Sequence, residues 1–352
     1  MRRAAIPEGG FRHIAVLRLS SLGDVILTLP VVHALARAYR EARITYWTKE
    51  EYRDLVCFDP AVAHVRALER DARGVEDLLS MSAELEDADL IVDLHGSMRT
   101  HLLTFRQRAP VLRAPSFRAR RAALVHARAL RPRRPPTALE RNALALAPLR
   151  LAVPGVPRVA VPAEAEAWAE GWLAQWAGGA SPVALLPGAR HFTKRWPEAH
   201  WVLLAEALAA AGRPLVCLSL AAERDASPLL AAAIERLPRA RWCLEPLPRM
   251  GALLSRCLAA VTCDSGLMHL AAARGTRVVA IFGSTVPELG FGPAGEGHVV
   301  LCRHEPCQPC TLHGRASCPQ VHFRCLTGIA PETVQAALSD SSFAARLEAA
   351  RM

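Results

Sequence analysis

Residues 261–282, VTCDSGLMHLAAARGTRVVAIF, constrain the fold of this chain more than any other stretch. An apolar strand is followed by the polar turn Asp264-Ser265-Gly266 and by a short apolar helix that Gly275 ends. The β-branched run after it is typical of a second, fully buried strand. A strand, a helix and another buried strand in this order predict a parallel sheet.

The same alternation of short apolar runs and helical patterns covers the whole chain. It predicts strands at 13–19, 44–47 and 89–94 and, in the second half, at 183–186, 215–218, 241–244, 259–263, 278–282 and 298–301. A chain of 352 residues is too long for one ordinary core, and the proline-rich stretch 148–162 has no helical period. We therefore predict an α/β fold with two domains, 1–155 and 156–330, followed by a helical segment at 331–352.

The net charge, the hydropathy and the cysteine content indicate which classes of partner and which cellular compartment to expect. The formal net charge of +10 favours anionic partners such as nucleotides, phosphorylated glycans, nucleic acid or an acidic membrane surface. No apolar run approaches the roughly 18 residues of a spanning helix, and no apolar segment follows Arg2 and Arg3 as in a secretory signal. We expect a cytoplasmic protein whose ten cysteines are free thiols or metal ligands.

Polar motifs follow several predicted strands, where open α/β sheets bind ligands. They are SSLGD at 20–24, DLHGSMR at 93–99, LPGARHFTKRWP at 186–197 and DSG at 264–266. The third motif lacks the Walker spacing, so a P-loop ATPase is not indicated. Each motif also has a structural interpretation: Asp24 and Asp264 as helix caps, His269 as a core residue, and Lys194 as part of a solvated basic loop.

Late cysteines form a separate constellation in a loop near 302–325. Cys307, Cys310, Cys318 and Cys325 suit a tetrahedral structural site for zinc, with iron as an alternative. Cys302, His304 and His313 are further candidate ligands. Unligated loop cysteines are the other interpretation.

Five segments, taken in order, resemble the ADP-heptose:lipopolysaccharide heptosyltransferases, glycosyltransferase family 9. They are RLSSLGDVILTLPVVHALARAY, DLHGSMRT, LLPGARHFTKRWPEAHW, CDSGLMHLAAARGTRVVAIFGSTVPELGFGP and the cysteine segment, and they cover nearly the whole chain. The resemblance implies a GT-B fold, with two Rossmann-like domains facing across a cleft and a final helix that packs back on the N-terminal domain. It also implies inverting transfer of heptose from ADP-heptose to the lipopolysaccharide inner core, without a catalytic metal.

The resemblance also assigns roles to individual residues. Asp24 matches the general base, Lys194 with Thr193 matches the contact to the diphosphate, and Asp264 matches the hydrogen bond to the sugar. Further expected donor contacts are Ser265, Gly266, His269 and, for the ribose, Glu223. After the strand ending at Leu218 this chain lacks the glycine-rich turn that is frequent in the family.

An arginine-rich segment, 113–141, contains a single aromatic residue, Phe117. Positive charge without stacking rings favours phosphate and carboxylate groups over single-stranded nucleic acid. We predict that the acceptor is bound by Ser21, Gly23, His95, Arg99, Arg118, Arg120 and Arg121, at the inner face of the inner membrane and without nucleic acid. A merely solvated basic segment is the alternative.

Three other functions remain open at this level. A transferase of the same fold could use another nucleotide sugar and another glycan or protein acceptor. A nucleic-acid-binding protein could use the basic segment and a zinc-like loop, but it leaves the strand-end motifs without a purpose. A binding protein of the same shape without catalysis is disfavoured by the presence of Asp24, Lys194 and His269.

Overall fold

The computed structural model describes residues 10–68, 75–127 and 133–339. The chain divides into two units, the first formed by Met1–Arg118 and Pro136–Pro162 and the second by Ala119–Pro135 and Ala163–Met352. The chain passes finally from the first unit to the second after Pro162, at the end of the proline-rich stretch 148–162. Segment 119–135, which the predicted boundary puts in the first domain, groups with the second unit, where the Arg121 guanidinium lies 6.0 Å from the centre of the Phe291 ring.

The first unit is built on a parallel sheet with the strand order β3-β2-β1-β4-β5. Its strands are β1 (His13–Leu17), β2 (Arg43–Lys49), β3 (His64–Leu68), β4 (Leu90–Asp93) and β5 (Val111–Arg113). The first helices along the chain are α1 (Leu22–Ile26), α2 (Leu29–Ala38), α3 (Val75–Glu84) and α4 (Met98–Thr104). They are followed by α5 (Arg118–His126), most of which belongs to the second unit, and α6 (Ala138–Leu144).

The strands β1, β2 and β4 lie where the sequence predicts strands, which confirms those three predictions. The strands β3 and β5 were not predicted, because one alternates exposed and half-buried residues and the other has only three residues. Pro30 lies in the first turn of α2, where a missing backbone N–H costs no hydrogen bond. A new helix, α2, therefore begins with this proline in its first turn, and two residues separate it from the end of α1.

A second parallel sheet, with the order β11-β10-β9-β6-β7-β8, forms the second unit. Its strands, all predicted, are β6 (Val183–Leu186), β7 (Leu215–Leu218), β8 (Ala240–Cys243), β9 (Ala259–Cys263), β10 (Val278–Phe282) and β11 (Val299–Cys302). The helices are α7 (Ala163–Ala174), α8 (Glu198–Ala210), α9 (Ala221–Asp225), α10 (Pro228–Arg236), α11 (Leu247–Leu254), α12 (Gly266–Ala273), α13 (Arg324–Thr327) and α14 (Pro331–Ser339).

The central strands β6, β9 and β10 are buried along their whole length, as their continuous apolar runs require. Trp196 and Trp201 pack edge to face in the core beside them, with ring centres 5.1 Å apart. Such a rigid core fixes the loops that leave the strand ends.

Each sheet has one point where the strand order reverses. In the first sheet this point lies between β1 and β4, and in the second between β6 and β9. Connections leave the two flanking strands in opposite directions there, which opens a crevice at their carboxyl ends. The predicted SSLGD, DLHGSMR, TKRWP and DSG motifs follow these four strands.

The described part of the predicted terminal helix, α14, packs on α8 and β10 within the second unit. The remainder, 340–352, lies outside the described residues, and its return to the N-terminal domain stays a prediction. Within the described ranges, no helix combines the length and the apolar character needed to span a bilayer.

Candidate active site

Asp24 lies in the first turn of α1, the helix that follows β1. The guanidinium Nη2 of Arg18 is 2.7 Å from Asp24 Oδ1. Ser21 donates its hydroxyl to Asp24 Oδ2 over 2.9 Å and its backbone N–H over 3.3 Å. Ser21 is the N-cap of α1, so Asp24 is not the N-cap that the structural interpretation proposed. Its carboxylate supports the helix start from the third helical position.

Two opposing effects set the ionisation of Asp24. Burial disfavours the charged form, but the Arg18 guanidinium and the hydrogen bonds from Ser21 outweigh it and hold the pKa of Asp24 below its ordinary value. The carboxyl group is therefore a fully charged carboxylate at neutral pH. A carboxylate of this kind can accept a proton from a hydroxyl group in a transition state.

Arg18 also connects the two strands that flank the crevice. Its Nη1 donates to the Leu94 carbonyl over 2.5 Å, while Leu94 N–H bonds to Leu17 O over 3.0 Å. The guanidinium thus joins the end of β4 to the carboxylate that follows β1. Asp93, buried at the end of β4, accepts the backbone N–H groups of His95 and Gly96 over 3.0 and 2.9 Å and fixes this turn.

His95 lies on this turn beside the Asp24 cluster. Burial and the Arg18 charge lower the pKa of His95 to about 4, against the opposing charges of Asp93 and Asp24. The imidazole is neutral at physiological pH. It can exchange hydrogen bonds with a sugar hydroxyl, but it cannot supply a positive charge to an anionic acceptor.

The other predicted acceptor residues occupy different surroundings. Gly23 is buried in α1, Arg99 is half-buried on α4, and Arg118 and Arg120 are exposed on α5. Arg121 belongs to the second unit, as described above. Arg128 and Arg131 of the basic segment lie outside the described residues.

Lys194 and Asp264 form an ion pair at the reversal point of the second sheet. Lys194 Nζ lies 2.7 Å from Asp264 Oδ2, which also accepts the Thr285 hydroxyl over 2.6 Å. Asp264 and Thr285 are only 6% and 3% exposed. Ser265, and not Asp264, is the N-cap of α12, so the carboxylate is directed at a lysine instead of at its own helix.

Thr193 holds the loop that carries Lys194. Its hydroxyl donates to Ser284 Oγ over 2.9 Å and accepts the Arg315 N–H over 2.8 Å, and its own N–H bonds to Arg315 O over 3.2 Å. The side chain is 1% exposed. Thr193 therefore positions Lys194 through internal hydrogen bonds, and its predicted direct contact with the diphosphate stays a prediction.

The start of α12 presents the remaining predicted donor residues. Ser265 Oγ is buried and has no hydrogen-bond partner among the described residues, and Gly266 opens the helix. His269 lies one turn further on and is buried. Unsatisfied N–H groups at this helix end, together with Lys194, make an anion site.

Glu223 lies against Gly188, in the loop after β6. A Cβ atom on Gly188 would come within 2.3 Å of the Glu223 carboxylate, so any larger residue there would displace the end of that side chain. Glu223 also accepts the Leu220 N–H over 3.0 Å and so supports the start of α9. The group that approaches Gly188 is therefore the carboxylate of Glu223.

The cysteine loop contacts the same region. Cys310 N–H bonds to Ser284 O over 3.1 Å, and Gln308 donates to Gly283 O. Burial and the neighbouring Cys307, Cys310 and Cys318 raise the pKa of Cys325 to about 12, so the four thiols share one neighbourhood. In the described ranges, however, no three His, Cys, Asp or Glu side chains are arranged to hold one metal ion.

Some residues of this arrangement were not predicted as site residues. They are Arg18, Ser284, Thr285 and Arg315. Arg18, Ser284 and Thr285 follow buried strands, which is the signal that identified Asp24 and Asp264. Arg315 is far away in sequence and acts through its backbone, so no residue-type pattern could identify it.

Two parallel-sheet units, each with charged residues at its reversal point, are the architecture of the GT-B glycosyltransferases, and the solved structures below confirm the predicted fold class. The family model for glycosyltransferase family 9 (heptosyltransferase) matches residues 79–318. The lipopolysaccharide heptosyltransferase 1 of Pseudomonas aeruginosa is 32% identical over 322 residues, which is 84% of this chain and 85% of that protein. The chain belongs to glycosyltransferase family 9.

Solved structures agree with the fold. A family 9 glycosyltransferase from Veillonella parvula superimposes with a TM-score of 0.75 and 20% identity, over 93% of this chain and 96% of the other. The ADP-heptose lipopolysaccharide heptosyltransferase II of Escherichia coli gives a TM-score of 0.71 and 21% identity, over 94% and 99%. The family match and the Pseudomonas aeruginosa relative confirm the resemblance noted from the five sequence segments.

Proposed function

We propose that this protein is an inverting glycosyltransferase that moves a heptose from ADP-heptose to the inner core of lipopolysaccharide, either Kdo-lipid A or a heptosylated core. One observation carries the proposal. Charged groups stand at both reversal points, Asp24 with Arg18 in the first unit and Lys194 with Asp264 in the second, in a chain of family 9. The relative from Pseudomonas aeruginosa bears the name lipopolysaccharide heptosyltransferase 1, which supports the same donor and acceptor class.

The second unit supplies the donor chemistry. Lys194 and the N-terminus of α12 present positive charge to a diphosphate, and Asp264 with Ser265 offers hydrogen-bonding groups to a sugar. As the glycosidic bond breaks, negative charge develops on the departing ADP, and these groups stabilise it. A diphosphate leaves as a stable anion, so no general acid is needed.

Asp24 supplies the base. As an acceptor hydroxyl attacks the anomeric carbon, its proton passes to Asp24, and the configuration inverts because attack and departure occur on opposite faces. Arg18 and Ser21 hold the carboxylate in one orientation for this transfer. No step in this scheme requires a metal ion.

The acceptor is anionic in this proposal. Arg99, Arg118, Arg120 and Arg121 match the carboxylates and phosphates of an inner-core acceptor in charge and in bidentate geometry. The net charge of +10 favours peripheral association with the acidic inner face of the inner membrane, where such an acceptor is embedded. Replacing Arg118, Arg120 and Arg121 with alanine should raise the acceptor KM; unchanged KM and vesicle binding would exclude this role.

Transfer assays test the function directly. The purified protein is incubated with ADP-heptose, and separately with other nucleotide sugars, in the presence of Kdo-bearing lipid A. Transfer only from another sugar, or only to another glycan or a protein, would favour the alternative within the transferase class. Absence of transfer together with steeply salt-dependent binding to DNA or RNA would favour the nucleic-acid-binding protein.

The Asp24→Asn variant tests the base. It should lower kcat by about 10²–10⁴ and still bind the donor, because the donor groups lie in the second unit. The exposed Asp225→Asn is the matched control and should keep full activity. An active Asp24→Asn enzyme would remove Asp24 as the base.

We also propose that Cys307, Cys310, Cys318 and Cys325 hold a structural metal ion, zinc or iron. The support is chemical: four thiols share one neighbourhood in a loop that Cys310 and Gln308 tie to the segment after β10. The loop would have to close around the ion, since no described group of three ligands is already arranged for it.

A further inference from the structure

Three large apolar side chains stand exposed on one face of α4. Met98, Leu102 and Phe105 are 78%, 58% and 83% exposed. Their spacing of four and three residues places them in a row along the helix and its C-terminal end. We call this row the α4 stripe.

The exposure of the α4 stripe is not caused by a loosely held helix. On the opposite face Thr100 and Leu103 are 0% exposed, and Leu103 packs in the core of the first unit. Ser82 donates its hydroxyl to Leu103 O over 3.1 Å, and Gln107 Nε2 donates to Ser82 O over 2.6 Å. The helix is thus anchored from behind, and the apolar face is presented outward.

The charged residues in the chain segment that carries the stripe all have the same sign. Arg99, Arg106 and Arg108 lie within the same segment, and Arg106 and Arg108 are not buried. The sequence contains no Asp or Glu between Asp93 and Glu140. An apolar helix face flanked along its own segment by arginines is the pattern of segments that lie in the interface of an anionic membrane.

We propose that the α4 stripe inserts into the surface of an anionic lipid bilayer, with Arg106 and Arg108 at the headgroups. This inference rests on the proposed function, in which the acceptor is embedded in a membrane. The exposed Arg106 and Arg108 beside the row favour the headgroups of anionic lipids as the occupant. Such a short row also offers far less surface than the roughly 800 Å² per partner of a stable protein interface.

Insertion gives α4 a function in catalysis without any contact with the reacting atoms. The helix directly follows the 93–97 turn, which carries His95 beside the Asp24 cluster. A bilayer-inserted α4 holds this turn at the membrane surface, where a lipid-anchored acceptor presents its sugar. The stripe should therefore affect membrane-held acceptors and not soluble ones.

Vesicle co-sedimentation of the full chain tests the proposal. The triple variant Met98→Ser/Leu102→Ser/Phe105→Ser should bind phosphatidylglycerol-containing vesicles at least tenfold more weakly than the wild type. Arg106→Glu/Arg108→Glu should show a similar loss, whereas wild-type binding to pure phosphatidylcholine vesicles should be weak. The control triple Leu203→Ser/Leu229→Ser/Val321→Ser removes apolar residues of 52%, 61% and 89% exposure and should bind as the wild type does.

Transfer to a deacylated, water-soluble acceptor separates this inference from the proposed function. The Met98/Leu102/Phe105 variant should keep wild-type activity with that acceptor. If the wild type transfers to no acceptor while vesicle binding still depends on the stripe, the proposed function fails and the inference stands. If the wild type is active but its vesicle binding does not depend on the stripe, the inference fails and the proposed function stands.

Two further measurements keep the test decisive. Phe105→Trp should gain fluorescence quenching by vesicles with brominated acyl chains, beyond that of the wild type, and its absence would overturn insertion even if the triple variant does not fold. A triple variant that changes the molecular mass in solution but not vesicle binding would identify the stripe as a protein interface, which also overturns the proposal.

Discussion

The guanidinium of Arg18 lies 2.7 Å from the carboxylate of Asp24, so the candidate base is held by a positive charge. A cation at this distance makes the carboxylate easier to keep ionised and weakens it as a base. It also fixes one of its oxygens, while Ser21 holds the other. Arg18 thus orients the Asp24 carboxylate but makes it a weaker base. Because the pKa of Asp24 is lowered, the carboxylate stays ionised, and the enzyme stays active, further into the acidic pH range.

Arg18→Met should move the acidic limb of the kcat/KM profile to higher pH, because Arg18 lowers the pKa of Asp24 and its loss lets that pKa rise. The stabilisation from this pair is present above the unfolded-state pKa of the carboxyl group and is lost as pH falls through the lower folded-state pKa. The variant should therefore be less stable at pH 7, by about 1–3 kcal/mol, and close to the wild type in acid.

A pH-rate profile and thermal unfolding at several pH values measure both effects. The exposed Arg40→Met serves as the control, with no expected change. An unshifted acidic limb in Arg18→Met would show that this arginine does not govern the ionisation of the base.

Lys194→Met should raise the donor KM and lower the stability of the free enzyme. Asp264 is nearly buried, and breaking a buried ion pair by removing one partner costs about 3–5 kcal/mol, because a charge is left unpaired. Adding Asp264→Asn should recover much of the stability but not the donor affinity. Unfolding curves and donor titrations separate the two contributions.

This chain supplies its own control for Lys194. Lys49 is the other of two lysines among 43 Lys and Arg residues, and it forms only a 4.0 Å pair with Glu51. Lys49→Met should change neither quantity. Almost all basic residues of this chain are arginines, but position 194, beside the buried Asp264 carboxylate, holds a lysine. The ammonium group of lysine is a more compact charge than a guanidinium. Unchanged donor affinity in Lys194→Met would refute its role at the diphosphate.

Gly188→Ala should weaken donor binding severalfold with little change in stability. The new methyl group collides with the end of the Glu223 side chain, which can move away, but its carboxylate then leaves the loop after β6. Gly171→Ala in α7, where the added methyl meets no atom within 4 Å, is the control and should be neutral or stabilising. Equal donor affinity in both variants would argue against a donor contact by Glu223.

Metal analysis of the purified chain should find about one zinc or iron ion per molecule, and Cys307→Ser/Cys310→Ser should lose it. Because Cys310 and Gln308 bond to the segment after β10, that variant should also show a higher donor KM. Cys57→Ser, in the first unit, is the control. Metal-free wild-type protein with full activity would leave the four cysteines as ordinary thiols.

Nine of the eleven described strands, and the polar turns after them, could be predicted from the sequence, because buried parallel strands are continuous apolar runs. The strands β3 and β5 lack such a run and were not predicted. Of the two acidic residues that matter, Asp264 directly follows β9, and Asp24 lies in the helix that begins after the turn following β1. Their structural interpretation as N-caps was equally compatible with the sequence, since capping and catalysis use the same residue types at the same places. The cap positions are in fact held by Ser21 and Ser265.

By itself the sequence determined the fold class, the family and the set of chemically active residues, because all three depend on local pattern and order along the chain. Tertiary structure decided which of these residues meet. Strand order brings Lys194 to Asp264 across about 70 residues and Arg18 to Leu94 across 76. Such pairings depend on which strands are neighbours at a reversal point, and the type of a residue does not determine which strands are neighbours.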